Sequence, residues 1–426
     1  MRKQLLLSIL LFTLILSVAA QKKTPIIAAT PESAGFSSER LMRIDKAMNE
    51  WVNKEWMNGG VALIIHNGKI VYYKATGYND LAAKTPLQKE QIFRIASQTK
   101  AVVSVAIMML FEEGKLLITD PISKYISSYK KQMVLDKFNA TDTTYTTVPA
   151  TRDITIKDLL THTSGIGYAQ IGSKESNAIY GKSKLTAGIG VTDESLLSAM
   201  TRLGTLPLMH QPGQKWTYGL NNDLLGCIVE IVSGMTLDDF FRTHIFEPLG
   251  MKDTYFVIPA EKASRLVNIY TEDSTGHLVK AGGNMLNGPT IVNYPLQKTT
   301  YYSGGAGLSS TILDYGIFLQ MLLNEGTYNG KRLLSRNTVR MMTMNQIGDT
   351  YFRPEDKFGL GFQIVSEKNG NVPAQPGTFS WGGAFATSYW VDPKEKMVML
   401  FYRQLQRTTH GDVVEKFRAL TYGALE

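Results

Sequence analysis

Ile92-Phe93-Arg94-Ile95-Ala96-Ser97-Gln98-Thr99-Lys100-Ala101-Val102-Val103 is the stretch on which the reading of this chain turns. A short apolar run leads into Ser97. A strongly apolar helix is then expected from about Ser97 to Glu113, carrying Val105, Ile107, Met108, Leu110 and Phe111 and stopping at Gly114. Ser97 and Lys100 stand three apart, so on a helix they share one face with about 5–6 Å between Cβ atoms. A serine hydroxyl is a weak nucleophile until a base takes its proton, and a lysine in an apolar pocket can help do so. The start of a helix also offers backbone N–H groups, that of Ser97 included, where an oxyanion would develop. The plain alternative is Ser97 as a helix cap and Lys100 as a solvated side chain. Ser-x-x-Lys recurs at Ser127/Lys130 and Ser128/Lys131, but inside a hydrophilic loop, where it reads as chance.

Outward from this stretch, 426 residues with 44% apolar and 19% charged types suit a packed protein of two or three lobes; collagen-like, coiled-coil and disordered chains are excluded. The single cysteine, Cys227, excludes an internal disulfide and Cys-based zinc or iron–sulfur frameworks, and its apolar neighbours read as buried helix. His66, His162, His210, His244, His277 and His410 never stand at His-x3-His spacing, and His-Glu-x-x-His is absent. The sequence therefore makes no case for a metal. Met1-Arg2-Lys3, an apolar run from Leu5 to Ala20 and small residues before Gln21 describe a secretory signal peptide over residues 1–20. The run is short for a span of about 20 residues and carries Ser8, Thr13 and Ser17, which argues against an anchor. Its removal takes Arg2 and Lys3 from a formal charge of +8 and leaves +6. The mature chain is expected to be exported, periplasmic or extracellular, without a membrane span. No basic run is interleaved with aromatics, so nucleic acid is not an expected partner. The oligomeric state is not legible.

Residues 21–35 read as a polar leader. A helix from Phe36 to about Asn53 follows, with Leu41, Ile44, Met48 and Trp51 on one stripe and Ser37 or Ser38 as cap. Val61–His66 and Lys69–Tyr73, split by Asn67-Gly68, form a hairpin pattern. Helices are expected at 155–162, 193–203, 222–233, 237–246, 311–324 and 411–425. Strands are expected at 362–365, 379–381, 386–391 and 397–403. The polar stretches 136–151 and 167–192 read as surface or active-site loops. Strands at both ends of the chain imply an α+β fold: one antiparallel sheet domain from residues 36–114 and 286–426, flanked by helices, with a mainly helical lobe at 115–285 inserted.

Other catalytic signatures fail. Gly307-Leu308-Ser309-Ser310-Thr311 lacks the last glycine of a nucleophile elbow, and Gly326-x3-Gly330-Lys331-Arg332 is one residue short of a phosphate loop. Gly188-x-Gly190 and Gly305-x-Gly307 lack a third glycine and a βαβ setting. Gln211–Tyr218 leads into a helix, and a tyrosine at such a junction beside an ammonium is a candidate general base; otherwise it is a packed aromatic. Trp381-Gly382-Gly383-Ala384 ends a strand, where two glycines allow either close backbone approach of a ligand or a bulge.

In these residues, and in Leu110–Ile126, Leu159-Leu160-Thr161-His162-Thr163-Ser164-Gly165, Phe246–Met251 and Ser303–Leu323, the chain resembles the serine β-lactamases, penicillin-binding proteins and their esterase relatives, most of all the β-lactamase-like carboxylesterases. The resemblance runs in order from about Phe36 to Arg403. It implies the β-lactamase/transpeptidase-like fold, with Ser97 acylated, Lys100 handling its proton and Tyr218 as the tyrosine of the second motif. It places Trp381-Gly382-Gly383 at the third motif, with Ala384 N–H joining Ser97 N–H in an oxyanion hole, and implies no metal or organic cofactor. Two departures stand out: Leu220 occupies the place of an asparagine, with Asn221 next to it, and Trp381 that of a lysine. Losing those polar groups weakens β-lactam recognition. Trp-Gly-Gly with Tyr218 and Asp223 is similar to the esterase branch, so Trp381, Gly382, Gly383, Asn221 and Asp223 are the expected substrate contacts. The His162 segment reads as a structural helix-end turn. The resulting expectation is a hydrolase of small-molecule esters acting through an acyl-enzyme. Its alternatives are a D-amino-acid peptidase or weak β-lactamase on peptide-like substrates, and a catalytically poor penicillin-binding module.

Overall fold

Two stretches with no polar face, Val61–Ile65 and Met397–Tyr402, pair at the middle of a nine-stranded sheet. The structure is a computed structural model that describes residues 25–185, 188–189, 192–282, 284–285 and 290–426. The expected signal peptide lies outside the described residues. The strands along the sheet are β1 (Ile27–Ala28), β2 (Gly59–His66), β3 (Lys69–Asp80), β4 (Asp356–Phe358), β5 (Gln363–Val365), β6 (Phe379–Gly383), β7 (Thr387–Asp392) and β8 (Met397–Tyr402). Their order is β1-β3-β2-β8-β7-β6-β5-β4, with Thr85–Pro86 added against β3. Every pair is antiparallel except β1 with β3, where Ile27 pairs with Lys69 in parallel. The leader thus adds a strand, and the purely antiparallel expectation is corrected at that edge.

Side chains alternate across a strand, so central strands covered on both faces must be apolar throughout. Val61, Leu63, Ile65, Val398, Leu400 and Tyr402 enter one core; Ala62, Ile64, Met397, Met399 and Phe401 enter the other. The second core is closed by α1 (Ser38–Asn53), which buries Leu41, Ile44, Met48 and Trp51, and by a helix at the chain end, Val413–Tyr422. The Ser37 hydroxyl caps α1 by accepting from the Arg40 N–H at 3.2 Å. The first core holds α2 (Thr99–Glu112), α3 (Asn221–Ser233) and α4 (Ile312–Leu323). Thr99 through Met108 are all buried, as a helix apolar on every side requires. Cys227 is a free thiol inside α3, and burial pushes its pKa up to about 12.

Between α2 and the return to the sheet lie the short helices Ile156–Leu160, Lys174–Lys182, Leu196–Leu203 and Leu237–Phe241, the last running into a π-helical turn over Arg242–Phe246. Two expectations are corrected here. The stretch 136–151 contributes most of a hairpin, Met133–Phe138 against Tyr145–Pro149, rather than a loop. Its strands are largely exposed, so no apolar alternation marks them. The stretch 167–192 contains the helix Lys174–Lys182, capped by Ser173 and burying only Ser176, Ile179 and Tyr180. The helix expected from Ser97 starts instead as a 3₁₀ turn, Ala96–Gln98, and becomes α-helical at Thr99.

Leu400 is fully buried opposite Leu63. Leu400→Ala should lower the unfolding free energy by about 2–5 kcal/mol, read from urea denaturation.

Candidate active site

The short strand Phe93–Arg94 pairs with Ser309–Ser310, and the Ile95 N–H donates to the Leu308 carbonyl at 3.1 Å. The chain then reverses through Ala96, whose φ of 42° lies in the left-handed region. A non-glycine residue there costs on the order of 1 kcal/mol or more and persists only where neighbours enforce it. Thr99 does so. Its Oγ1 donates to the Ala96 carbonyl at 2.7 Å and accepts from the Leu308 N–H at 3.1 Å. This reversal presents Ser97 to a cavity of about 570 Å³.

Ser97 Oγ accepts from the Tyr218 hydroxyl at 2.7 Å and from Lys100 Nζ at 3.3 Å. Lys100 is buried; its Nζ also donates to the Gly305 carbonyl at 2.7 Å and to Tyr168 Oη at 3.2 Å, and lies 4.6 Å from the Tyr218 ring centroid. The structure therefore brings Ser97, Lys100 and Tyr218 together and adds Tyr168, which the sequence did not single out. Tyr168 lies in a stretch expected to be loop, with no spacing to mark it. Burial, with Tyr218 and Asp223 nearby, holds its phenol well above the ordinary range, so it stays protonated.

Trp381, Gly382 and Ala384 line the cavity with Ser97, Tyr218 and Trp216. Gly383 does not; its role is backbone approach. A Cβ there would fall 2.4 Å from the Ile95 carbonyl oxygen and 2.3 Å from Thr387 Oγ1. The missing side chain lets the end of β6 press against the segment leading into Ser97. A three-residue turn then joins β6 to β7, closed by Ala386 N–H to Gly383 O at 3.0 Å, with Ala386 at φ 63°. Ala384 opens that turn. Trp381 stands 5.7 Å from Tyr218, 5.5 Å from Phe358 and 6.2 Å from Phe352 between ring centroids, part of a continuous aromatic wall.

Asn221 and Asp223, expected at the substrate, lie behind this wall instead. Both are fully buried in the first turn of α3. Asn221 Nδ2 donates to His162 Nδ1 at 2.8 Å, and its Oδ1 accepts from the Ser164 hydroxyl at 2.5 Å. Asp223 accepts from Ser303 Oγ at 2.6 Å and Tyr301 Oη at 3.2 Å. A Cβ on Gly305 would sit 2.5 Å from Asp223 Oδ2, so only glycine lets the loop lie on that carboxylate and aim its carbonyl at Lys100. Burial pushes the Asp223 carboxyl upward, against the pull of Ser303, Lys100 and Tyr301. Leu220, in the position where the resemblance calls for asparagine, is a fully buried core residue.

His162 is a buried turn residue at φ 56°, its ring 5.1 Å from Tyr218 and 5.5 Å from Trp216. Burial first, and the Lys100 charge second, hold its pKa well below the ordinary value of 6.5. A neutral ring is also what allows Nδ1 to accept from Asn221. Among the described residues, no three His, Cys, Asp or Glu side chains gather as metal ligands. In ¹⁵N-histidine NMR, His162 should keep an unprotonated Nδ1 and a protonated Nε2 from pH 8 down to pH 5, while the exposed His277, raised by Glu55, titrates.

The sequence model of the Beta-lactamase family matches residues 44–422. Protein Rv1367c of Mycobacterium tuberculosis is 34% identical over 361 residues, spanning 82% of this chain and 86% of that protein. Esterase EstB of Burkholderia gladioli is 26% identical over 380 residues, 86% of this chain and 91% of that protein. Among solved structures, EstCE1, a hydrolase with promiscuous acyltransferase activity, superposes with a TM-score of 0.77 at 23% identity, covering 90% of this chain and 98% of that one. Fold, site geometry and sequence agree: the chain belongs to the beta-lactamase family of serine hydrolases and has the β-lactamase/transpeptidase-like fold.

Proposed function

We propose that this protein is an exported carboxylesterase that works through an acyl-enzyme on Ser97. The observation that carries the reading is the position of Ser97 Oγ, within hydrogen-bond reach of both Tyr218 Oη and Lys100 Nζ. In the reactive form Tyr218 has given up its phenolic proton, so as Oγ attacks the ester carbonyl carbon its proton passes to that phenolate oxygen, with the Lys100 ammonium, 4.6 Å from the ring centroid, balancing the charge. The carbonyl oxygen becomes an oxyanion facing the N–H groups of Ser97 and Ala384. Collapse breaks the bond to the alkoxy oxygen, which takes the proton and departs as alcohol. Water then attacks the acyl carbon by the same route and frees the acid and Ser97.

The preference for esters over β-lactams rests on the wall. Trp381 offers an apolar face in the place where the resemblance calls for a lysine, and Leu220 and Asn221 are both buried away from the cavity. The esterase EstB supports the same choice. Export rests on the signal-peptide pattern of residues 1–20.

The mature protein and its variants should be assayed with p-nitrophenyl esters, nitrocefin and a D-Ala-D-Ala peptide. Ester turnover is expected in the wild type and absent in Ser97→Ala. Tyr218→Phe should lower kcat/KM by roughly 10²–10⁴ with the fold intact by circular dichroism. Nitrocefin or peptide turnover equal to that of the best ester would overturn the ester reading. N-terminal sequencing of the secreted protein should begin at Gln21.

A further inference from the structure

Arg353 also lines the cavity. Its guanidinium carbon lies 5.5 Å from the Trp381 ring centroid and 5.0 Å from that of Phe352. Nη1 donates to Gln363 Oε1 at 2.7 Å. The amide is oriented from behind: the buried Asp356 carboxylate accepts from Gln363 Nε2 at 2.5 Å and from Asn369 Nδ2 at 2.7 Å, which turns Oε1 toward Arg353. A neutral dipole, not a charge, therefore holds the guanidinium in place. Among the described residues, no carboxylate forms a salt bridge with Arg353, whereas Arg418, the other arginine of this cavity, is paired with Glu415.

A guanidinium has five N–H donors in a planar fork suited to a carboxylate. Arg353 spends one on Gln363, and its plane is supported by two aromatic rings. Trp381 connects it to the nucleophile, since Trp381 packs on Tyr218 and Tyr218 touches Ser97 Oγ. A substrate chain lying along the Trp381 face with its ester at Ser97 would bring its far end to Arg353. We propose that Arg353 is a specificity-determining residue that selects esters carrying a carboxylate beyond the scissile bond. That role rests on the ester hydrolysis proposed above.

Two substrate pairs test it and distinguish which side of the ester bears the anion. In the first, the p-nitrophenyl monoester of adipic acid is compared with p-nitrophenyl hexanoate. In the second, 4-(butanoyloxy)benzoate is compared with phenyl butanoate. In one pair at least, wild-type kcat/KM should favour the anionic ester by about tenfold, the scale of one charge-assisted hydrogen-bonded contact, and the preference should shrink as salt is added. Arg353→Ala should erase the preference, and Arg353→Glu should reverse it. No preference in either pair, or one that survives Arg353→Ala, overturns the assignment while Ser97-dependent turnover of the neutral esters leaves the hydrolase reading standing. Absence of turnover with all four esters overturns both.

Discussion

A buried ammonium has three protons to place, and the site is organised around that requirement. Lys100 gives one to the Gly305 carbonyl, one to Tyr168 and one to Ser97 Oγ. Leaving any of them unpaired inside the protein would cost several kcal/mol. Each acceptor is in turn fixed by something further back. The Gly305 loop rests on Asp223, Tyr168 is buried with its ring 5.4 Å from that of Tyr218, and Ser97 is thrust forward by the left-handed turn at Ala96. Lys100 is thus the point at which α2, α3 and the 303–305 loop are brought into register.

The same requirement separates what the sequence reveals from what it conceals. Ser97 and Lys100 were legible because their spacing is local and the helix around them is plainly apolar. The sheet was legible because Val61–Ile65 and Met397–Tyr402 have no polar face. Asn221 and Asp223 were read one layer too far forward: sequence order places them beside the tyrosine motif, but the first turn of α3 points them inward, where His162 and Ser303 engage them. Tyr168 was invisible because its partner lies far away in the chain. The exposed hairpin at Met133–Pro149 carries too little burial to imprint a pattern.

The wall of the cavity shows how one scaffold can change its clientele. Trp381, Trp216 and Tyr218 line the cavity beside Ser97, with the buried rings of Phe352 and Phe358 packed behind them. Such a surface holds a substrate by shape and apolar area, with few directional demands. Discrimination then falls to isolated polar groups at its margin rather than to the wall itself.

The pairing of β2 with β8 also governs the order in which the molecule can be built. Val61 finds its neighbour in Tyr402, with nearly the whole described chain between them. While the polypeptide is being synthesised, the β2–β3 hairpin has α1 for one face, but it lacks both its central partner and α4, the helix that covers its other face, which stays exposed. Long-range closure of this kind is slow, and the interval before it is the dangerous one for aggregation. The sheet therefore cannot close until its last strand, β8, has been made.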